Sequence, residues 1–205
     1  MENKDDMIPP QHVGKKLDTE NEVNAPSEEE AKRLFQLAAT RLLNVNQWDK
    51  VCGPLSSVFK LTDGQGTVKE GDPTQGDYFR IDVPGPGSST GEGYDWVRVE
   101  AIDDQRNPEA NSESLTVRVR PASNPRNDNN DTAHFLADEA TSSFRIARDG
   151  KTVRAEVHGR NEVPNTKAEK PIDKVRNAVV GTGAVAGMSN PQWKSLVTGL
   201  LEQKK

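Results

Sequence analysis

Ser143-Phe144-Arg145-Ile146-Ala147-Arg148-Asp149-Gly150-Lys151-Thr152-Val153-Arg154-Ala155-Glu156-Val157-His158 has the pattern of a β-hairpin and marks an antiparallel sheet. Val153, Ala155 and Val157 alternate with polar partners, the period of a strand with one buried face. Asp149-Gly150 supplies the dipeptide that favours a turn matching strand twist. Outward from this hairpin the same period of two recurs. It places Phe79, Ile81 and Val83 on one face, then Val97, Val99 and Ala101, then Leu115, Val117 and Val119. A further strand over residues 57–62 precedes the turn Asp63-Gly64-Gln65-Gly66. About six strands result, antiparallel because no helix-length crossover separates them. The loops at 84–93 and 121–131 are long and rich in Gly, Pro, Ser and Asn.

Helical patterns flank the sheet. Ser27 followed by Glu28, Glu29 and Glu30 has the form of an N-cap with carboxylates in the first turn, and Ser27 with Glu30 has capping-box spacing. Ala31, Leu34, Phe35, Ala38 and Leu42 then recur at three- and four-residue steps, predicting a helix to about Leu43. Past the sheet, Pro171 suits the first position of a helix whose rough stripe is Ile172, Val175, Val179 and Ala186. Asn190-Pro191 resets the cap, and Trp193, Leu196, Val197, Leu200 and Leu201 form the cleanest amphipathic face in the chain. That face needs a partner, and the apolar side of the sheet is the obvious one. The expected fold class is therefore α+β: an antiparallel sheet of about six strands packed against C-terminal helices, over residues 27–205. Residues 1–26 carry Pro9-Pro10 and scattered charge without period, and are expected to be a disordered tail.

The chain has 205 residues, a net charge of −5 and 32% hydrophobic residues, so its core is lean. No apolar run approaches the length of a membrane span, and the acidic start Met1-Glu2-Asn3-Lys4-Asp5-Asp6 is unlike a signal peptide. One cysteine, Cys52, gives neither a disulfide nor a Cys-rich zinc site. These features point to a soluble protein of the reducing cytoplasm, without a membrane partner and without a cofactor. Nucleic acid is not expected as a partner either: the balance of charge is negative, and no basic run is interleaved with aromatics.

If the aliphatic residues face the helices, the opposite face collects Arg80, Asp82, Arg98, Glu100, Arg118, Arg120, Arg145, Arg154, Glu156 and His158. A guanidinium cluster suits an anion site. Its plainer reading is a solvated face of cross-strand Arg–carboxylate pairs, each contributing about 0.2–1 kcal/mol. Gly181-Thr182-Gly183-Ala184-Val185-Ala186-Gly187 has the letters of a dinucleotide fingerprint, but a helical segment precedes it and too little chain follows for a βαβ unit. Asp128, Asn130, Thr132 and Glu139 have calcium-loop spacing, with Ala133 where the sharp turn needs Gly. His12, His134 and His158 are too dispersed for paired-histidine metal spacing, so no metal is expected. Cys52 with a histidine is one conceivable nucleophile pair; after Trp48 and Val51 it reads more simply as a small buried apolar residue.

The least accidental segment is Glu156-Val157-His158-Gly159-Arg160-Asn161-Glu162-Val163-Pro164-Asn165. It gathers an imidazole, a guanidinium, an amide and a carboxylate at a strand end, where ligand sites often form. The competing reading is turn chemistry: Gly159 makes a bulge, Arg160 and Glu162 pair with neighbours, and Asn161 bonds backbone. Tyr78 and Trp96 fall on the face away from the aliphatics, where they line a pocket or cover arginines by stacking. The candidate ligand-binding residues are thus Tyr78, Trp96, His158, Arg160, Asn161 and Glu162.

A helix leading to Trp48, a run of long antiparallel strands and a C-terminal amphipathic helix together resemble the helix-grip family of START and Bet v 1-like ligand-binding proteins. The resemblance covers residues 28–203 by element order. Two departures stand out: the family has a strand before its first helix, which residues 11–26 do not resemble, and its C-terminal helix is one element, here broken at 187–191. The resemblance implies a curved sheet gripping a helix, with a cavity for a small apolar or amphipathic molecule, in a family that holds both carriers and cyclase-like enzymes. The leading expectation is a non-enzymatic small-ligand binder. The alternatives are an enzyme using His158 or Glu162 as acid or base, and a protein-interaction or assembly module.

Overall fold

The computed structural model describes residues 7–53, 57–83, 87–166, 177–178, 180 and 190–203. The strands are β1 (Lys15–Asn24), β2 (Val58–Thr62), β3 (Tyr78–Asp82), β4 (Asp95–Gln105), β5 (Ser112–Pro121), β6 (Thr141–Asp149) and β7 (Thr152–Glu162). They form one sheet in the order β1-β7-β6-β5-β4-β3-β2, every neighbouring pair antiparallel. The chain begins at one edge, passes through α1 (Glu28–Leu43), a short 3-10 turn and α2 (Trp48–Cys52) to the far edge, then meanders back until β7 meets β1. A last helix, α3 (Asn190–Leu201), packs on β1 and β7 and against α1 and α2. This is the expected α+β helix-grip arrangement.

One strand lies where a disordered tail was expected. Lys15–Asn24 is β1, so the tail reading is corrected for those residues, and the strand before the first helix is present. Leu17 and Val23 are its only aliphatic side chains, and its pairing draws instead on backbone bonds and charged cross-strand partners. The helix expected from Pro171 lies outside the described residues, apart from helical Asn177, Ala178 and Val180. The fingerprint-like segment 181–187 lies outside them too.

Local chemistry accounts for the elements. Ser27 Oγ accepts from Glu30 N at 3.2 Å, the N-cap bond that its spacing predicts. In the β6–β7 hairpin Asp149 pairs with Thr152, so the two turn residues are Gly150 and Lys151, one step later than Asp149-Gly150. Gly150 takes the positive φ of 54° that this turn requires. On the helix-facing side, Trp48 is fully buried, its ring centroid 4.9 Å from Phe144, 5.2 Å from Phe59 and 5.7 Å from Phe79. Its indole N–H donates to Leu42 O, so the ring is satisfied as well as packed. Trp193 of α3 completes the cluster against Phe144 and Phe59.

Arg41 anchors the end of α3 by donating from Nη1 to the carbonyls of Gly199, Leu200 and Glu202. Gly199 lets α3 touch α2, because a Cβ there would lie 2.3 Å from Val51 O. Helix propensity alone predicts that Gly199→Ala stabilises by about 1 kcal/mol. The close approach predicts a loss of about 1–3 kcal/mol in urea unfolding instead.

Candidate functional site

The outer face is a ladder of neutralised charge. Arg145 pairs with Glu156 at 2.7 Å, Arg154 with Glu22 at 2.6 Å, and Arg118 and Arg120 both with Glu100 at 2.8 and 2.9 Å. Cross-strand pairing is therefore the main work of this face. Arg80 instead lies 4.4 Å over the Tyr94 ring.

Tyr78 and Trp96 do meet on this face, edge to face at 6.4 Å. Trp96 is fully buried there, its indole donating to Gly91 O and its backbone N–H to Ala133 O, with Arg126 over the ring at 5.9 Å. The aromatic pair is thus covered by the loops around 91 and 126. It does not join the other candidate residues, because β5 and β6 separate β4 from β7, three strand spacings of about 14 Å.

At the end of β7, His158, Arg160 and Asn161 each fasten another segment. His158 Nδ1 lies 2.6 Å from Asp18 Oδ1 and Nε2 lies 3.5 Å from Glu156 Oε2. Arg160 donates to the carbonyls of Leu17 and Gly159 and pairs with Asp18 at 2.8 Å. Asn161 sits at φ 55°, a conformation Asn tolerates better than most residues. Its Oδ1 accepts from the backbone N–H groups of His12 and Val13, its Nδ2 donates to Pro10 O, and its own N–H donates to Gln11 Oε1. Residues 7–14 therefore lie as a strap against β6 and β7, with Ser143 Oγ donating to Met7 O. Sequence reasoning missed Asp18, Gln11 and Ser143, all of which act through partners more than 130 positions away.

Glu162 differs from its neighbours. It is buried, and its Oε2 has no hydrogen-bond partner, contrary to the expected pairing. Its carboxyl lies over Gly159: a Cβ on that glycine would be 2.2 Å from Glu162 Oε1 and 3.2 Å from Leu17 Cβ. Gly159 and Leu17 are register partners on the helix-facing side, so Glu162 and His158 present their side chains to opposite faces. The two side chains therefore do not share one site. Burial raises the Glu162 carboxyl to about 7, against the smaller opposing pull of Lys15 and Arg160.

Ser143, His158 and Asp18 stand in one row across β6, β7 and β1. This row is not poised as nucleophile, base and acid. Ser143 Oγ donates to Met7 O and not to His158, and burial of His158 is outweighed by bonds to Glu156 and Asp18, which raise its pKa. Cys52 is pushed up to about 12 by burial and by Asp49, which keeps it a thiol. Among the described residues no cluster of three or more His, Cys, Asp or Glu could hold a metal ion.

No family model and no curated protein matches the chain. Among solved structures it is similar to a hypothetical protein from Helicobacter pylori, at 13% identity over 96% of this chain and 94% of that one, with a TM-score of 0.48. It is also similar to Ara h 8.0201, of the Bet v 1 family, at 14% identity over 92% and 100% of the chains, TM-score 0.38. A third likeness is norcoclaurine synthase from Thalictrum flavum, at 12% identity over 94% and 90%, TM-score 0.36. The helix-grip description rests on the strand order and the helix placement of this chain. No described helix is long and apolar enough to cross a membrane.

The His158 network has a defined pH dependence. Burial disfavours the Asp18 and Glu156 charges, but bonds from His158 with those from Arg160 and Lys16, or Arg145, outweigh it and hold both carboxylates at about 2. Their contribution is present above the ordinary carboxylate values and is lost as pH falls toward 2; that of His158 is present below its ordinary value of 6.5 and is lost as pH rises through the elevated one. Asp18→Asn, at a half-exposed position, is expected to cost about 1 kcal/mol at pH 5.5 in urea unfolding. The loss shrinks at pH 9 and nearly vanishes at pH 2; an equal loss at all three pH values would contradict the assignment.

Proposed function

We propose that the protein is a non-enzymatic binder of a small amphipathic molecule, held between the helix-facing side of the sheet and α3. The observation that carries this reading is the Glu162 carboxyl, a buried polar group without a hydrogen-bond partner on that side of the sheet. A buried polar atom left unmade costs about 1–3 kcal/mol, and a ligand hydroxyl, amide or amine donating to Oε2 would recover it. The helix-grip arrangement supports the reading, since it places an apolar sheet face opposite a helix.

Of the six candidate residues, Glu162 is the one assigned to the ligand. His158, Arg160 and Asn161 hold β1 and the strap, while Tyr78 and Trp96 pack under loops on the outer face. The paired arginines of that face argue against a nucleic-acid partner, and the single Cys52 suits the reducing cytoplasm.

Native mass spectrometry of the freshly purified chain tests the reading. The wild type is expected to carry a small-molecule adduct that is absent from the denatured chain. Glu162→Gln, which removes the burial cost of the charge, is expected to be at least as stable at pH 8 and to lose the adduct. Bare wild-type protein would contradict the proposal, as would an adduct that Glu162→Gln retains unchanged.

A further inference from the structure

The strap of residues 7–14 closes over the outer face in a way that leaves polar groups unmet on both sides of its hinge. Met7 is buried, and its carbonyl covers the fully buried Ser143. Two residues away on the same face of β6, Thr141 is buried with its hydroxyl unpartnered. The strap meets β1 at Gly14, whose φ of 65° few other residues adopt. A Cβ at Gly14 would lie 2.3 Å from Glu162 O and 2.6 Å from Val163 Cγ2, so the hinge rests on the Glu162 backbone itself. The adjacent residue, Asn161, makes the latch: it holds the N–H groups of His12 and Val13, the Pro10 carbonyl and the Gln11 side chain. Latch and hinge seat are therefore consecutive residues, and the second carries the buried, unpartnered carboxyl.

We propose that residues 7–14 are a proton-controlled strap, latched while Glu162 is protonated and released when Glu162 loses its proton. A carboxylate formed over Gly159 has no hydrogen-bond donor for Oε2 and must reach water. Displacing the end of β7 at 161–162 takes it there, and that displacement carries the Asn161 latch and the seat of Gly14 with it. Release bares Ser143, whose hydroxyl is covered by the strap at Met7 O. Among the described residues, Lys15 of β1 and Arg160 of β7 are the charges that act on Glu162. The strap itself carries one titratable group, His12. Burial places the Glu162 transition near neutral pH, about 7, where the strap can respond to modest acidification. This device belongs to the unliganded protein and does not rest on the ligand reading above.

Hydrogen exchange of the His12 and Val13 amides, corrected for the intrinsic pH dependence of exchange, reads the latch directly. Opening linked to one ionisation near 7 predicts that their protection falls about tenfold between pH 6 and pH 8. In Glu162→Gln the same amides are expected to keep their pH 6 protection at pH 8, and in Asn161→Ala to be unprotected at both. Peroxide oxidation of wild-type Met7 is an independent readout, expected to accelerate by a similar factor over the same range. Constant protection and constant Met7 oxidation in the wild type would overturn the proposal. So would a fall that persists in Glu162→Gln, which would trace the opening to His12 or to another group.

Discussion

Strand β1 lies antiparallel along β7 from Lys15 to Asn24 with little apolar surface to hold it. What fastens it is a set of charged side chains on the outer face: Asp18 with His158, Arg160 and Lys16, and Glu22 with Arg154. The pairing joins the first and last strands of the described residues. It obliges α1 and α2 to cross the sheet face so that β2 can begin at the opposite edge. It also widens the surface on which α3 packs, since α3 rests on β1 as well as β7. A cross-strand pair contributes only tenths of a kcal/mol to about 1 kcal/mol, so β1 depends on several of them together with the backbone ladder.

The same constraint explains the strand end that draws attention as a possible site. A polar cluster of imidazole, guanidinium, amide and carboxylate is what catalysis uses, and also what a charged edge strand needs as a fastener. Here three of the four are committed to β1 and the strap. Only Glu162 is left over, turned to the other face by the irregular backbone at Asn161. One residue of bulge thus separates a structural ion network from a buried acid.

Much of the fold is legible because its elements carry strong local signals. Ser27 and the three glutamates after it mark α1, alternation marks β2 to β7, and Gly150 marks the hairpin even though the turn sits one residue later. The illegible part of the sheet is its edge strand β1. Between Leu17 and Val23 the inward positions hold Thr19 and Asn21, so the apolar period that announces the other strands is missing. Its evidence is a match between acids at 18 and 22 and bases at 154, 158 and 160, a pairing visible only once β7 is alongside. The strap is hidden for a similar reason: Pro10 and Gln11 find their partner in Asn161, some 150 positions on. Of the candidate residues, Glu162 was visible as a carboxyl at a strand end, but its isolation depends on Gly159 and on the face it takes.

Glu162 alone in this cluster is held without a partner, in surroundings that disfavour its charge. NMR of its side-chain carboxyl carbon from pH 4 to pH 9 reads that isolation. A titration midpoint near 7 is expected, displaced upward from the ordinary glutamate value of 4.5. A midpoint at or below 4.5 would mean that the carboxylate is solvated or paired, and that Glu162 is not an isolated acid.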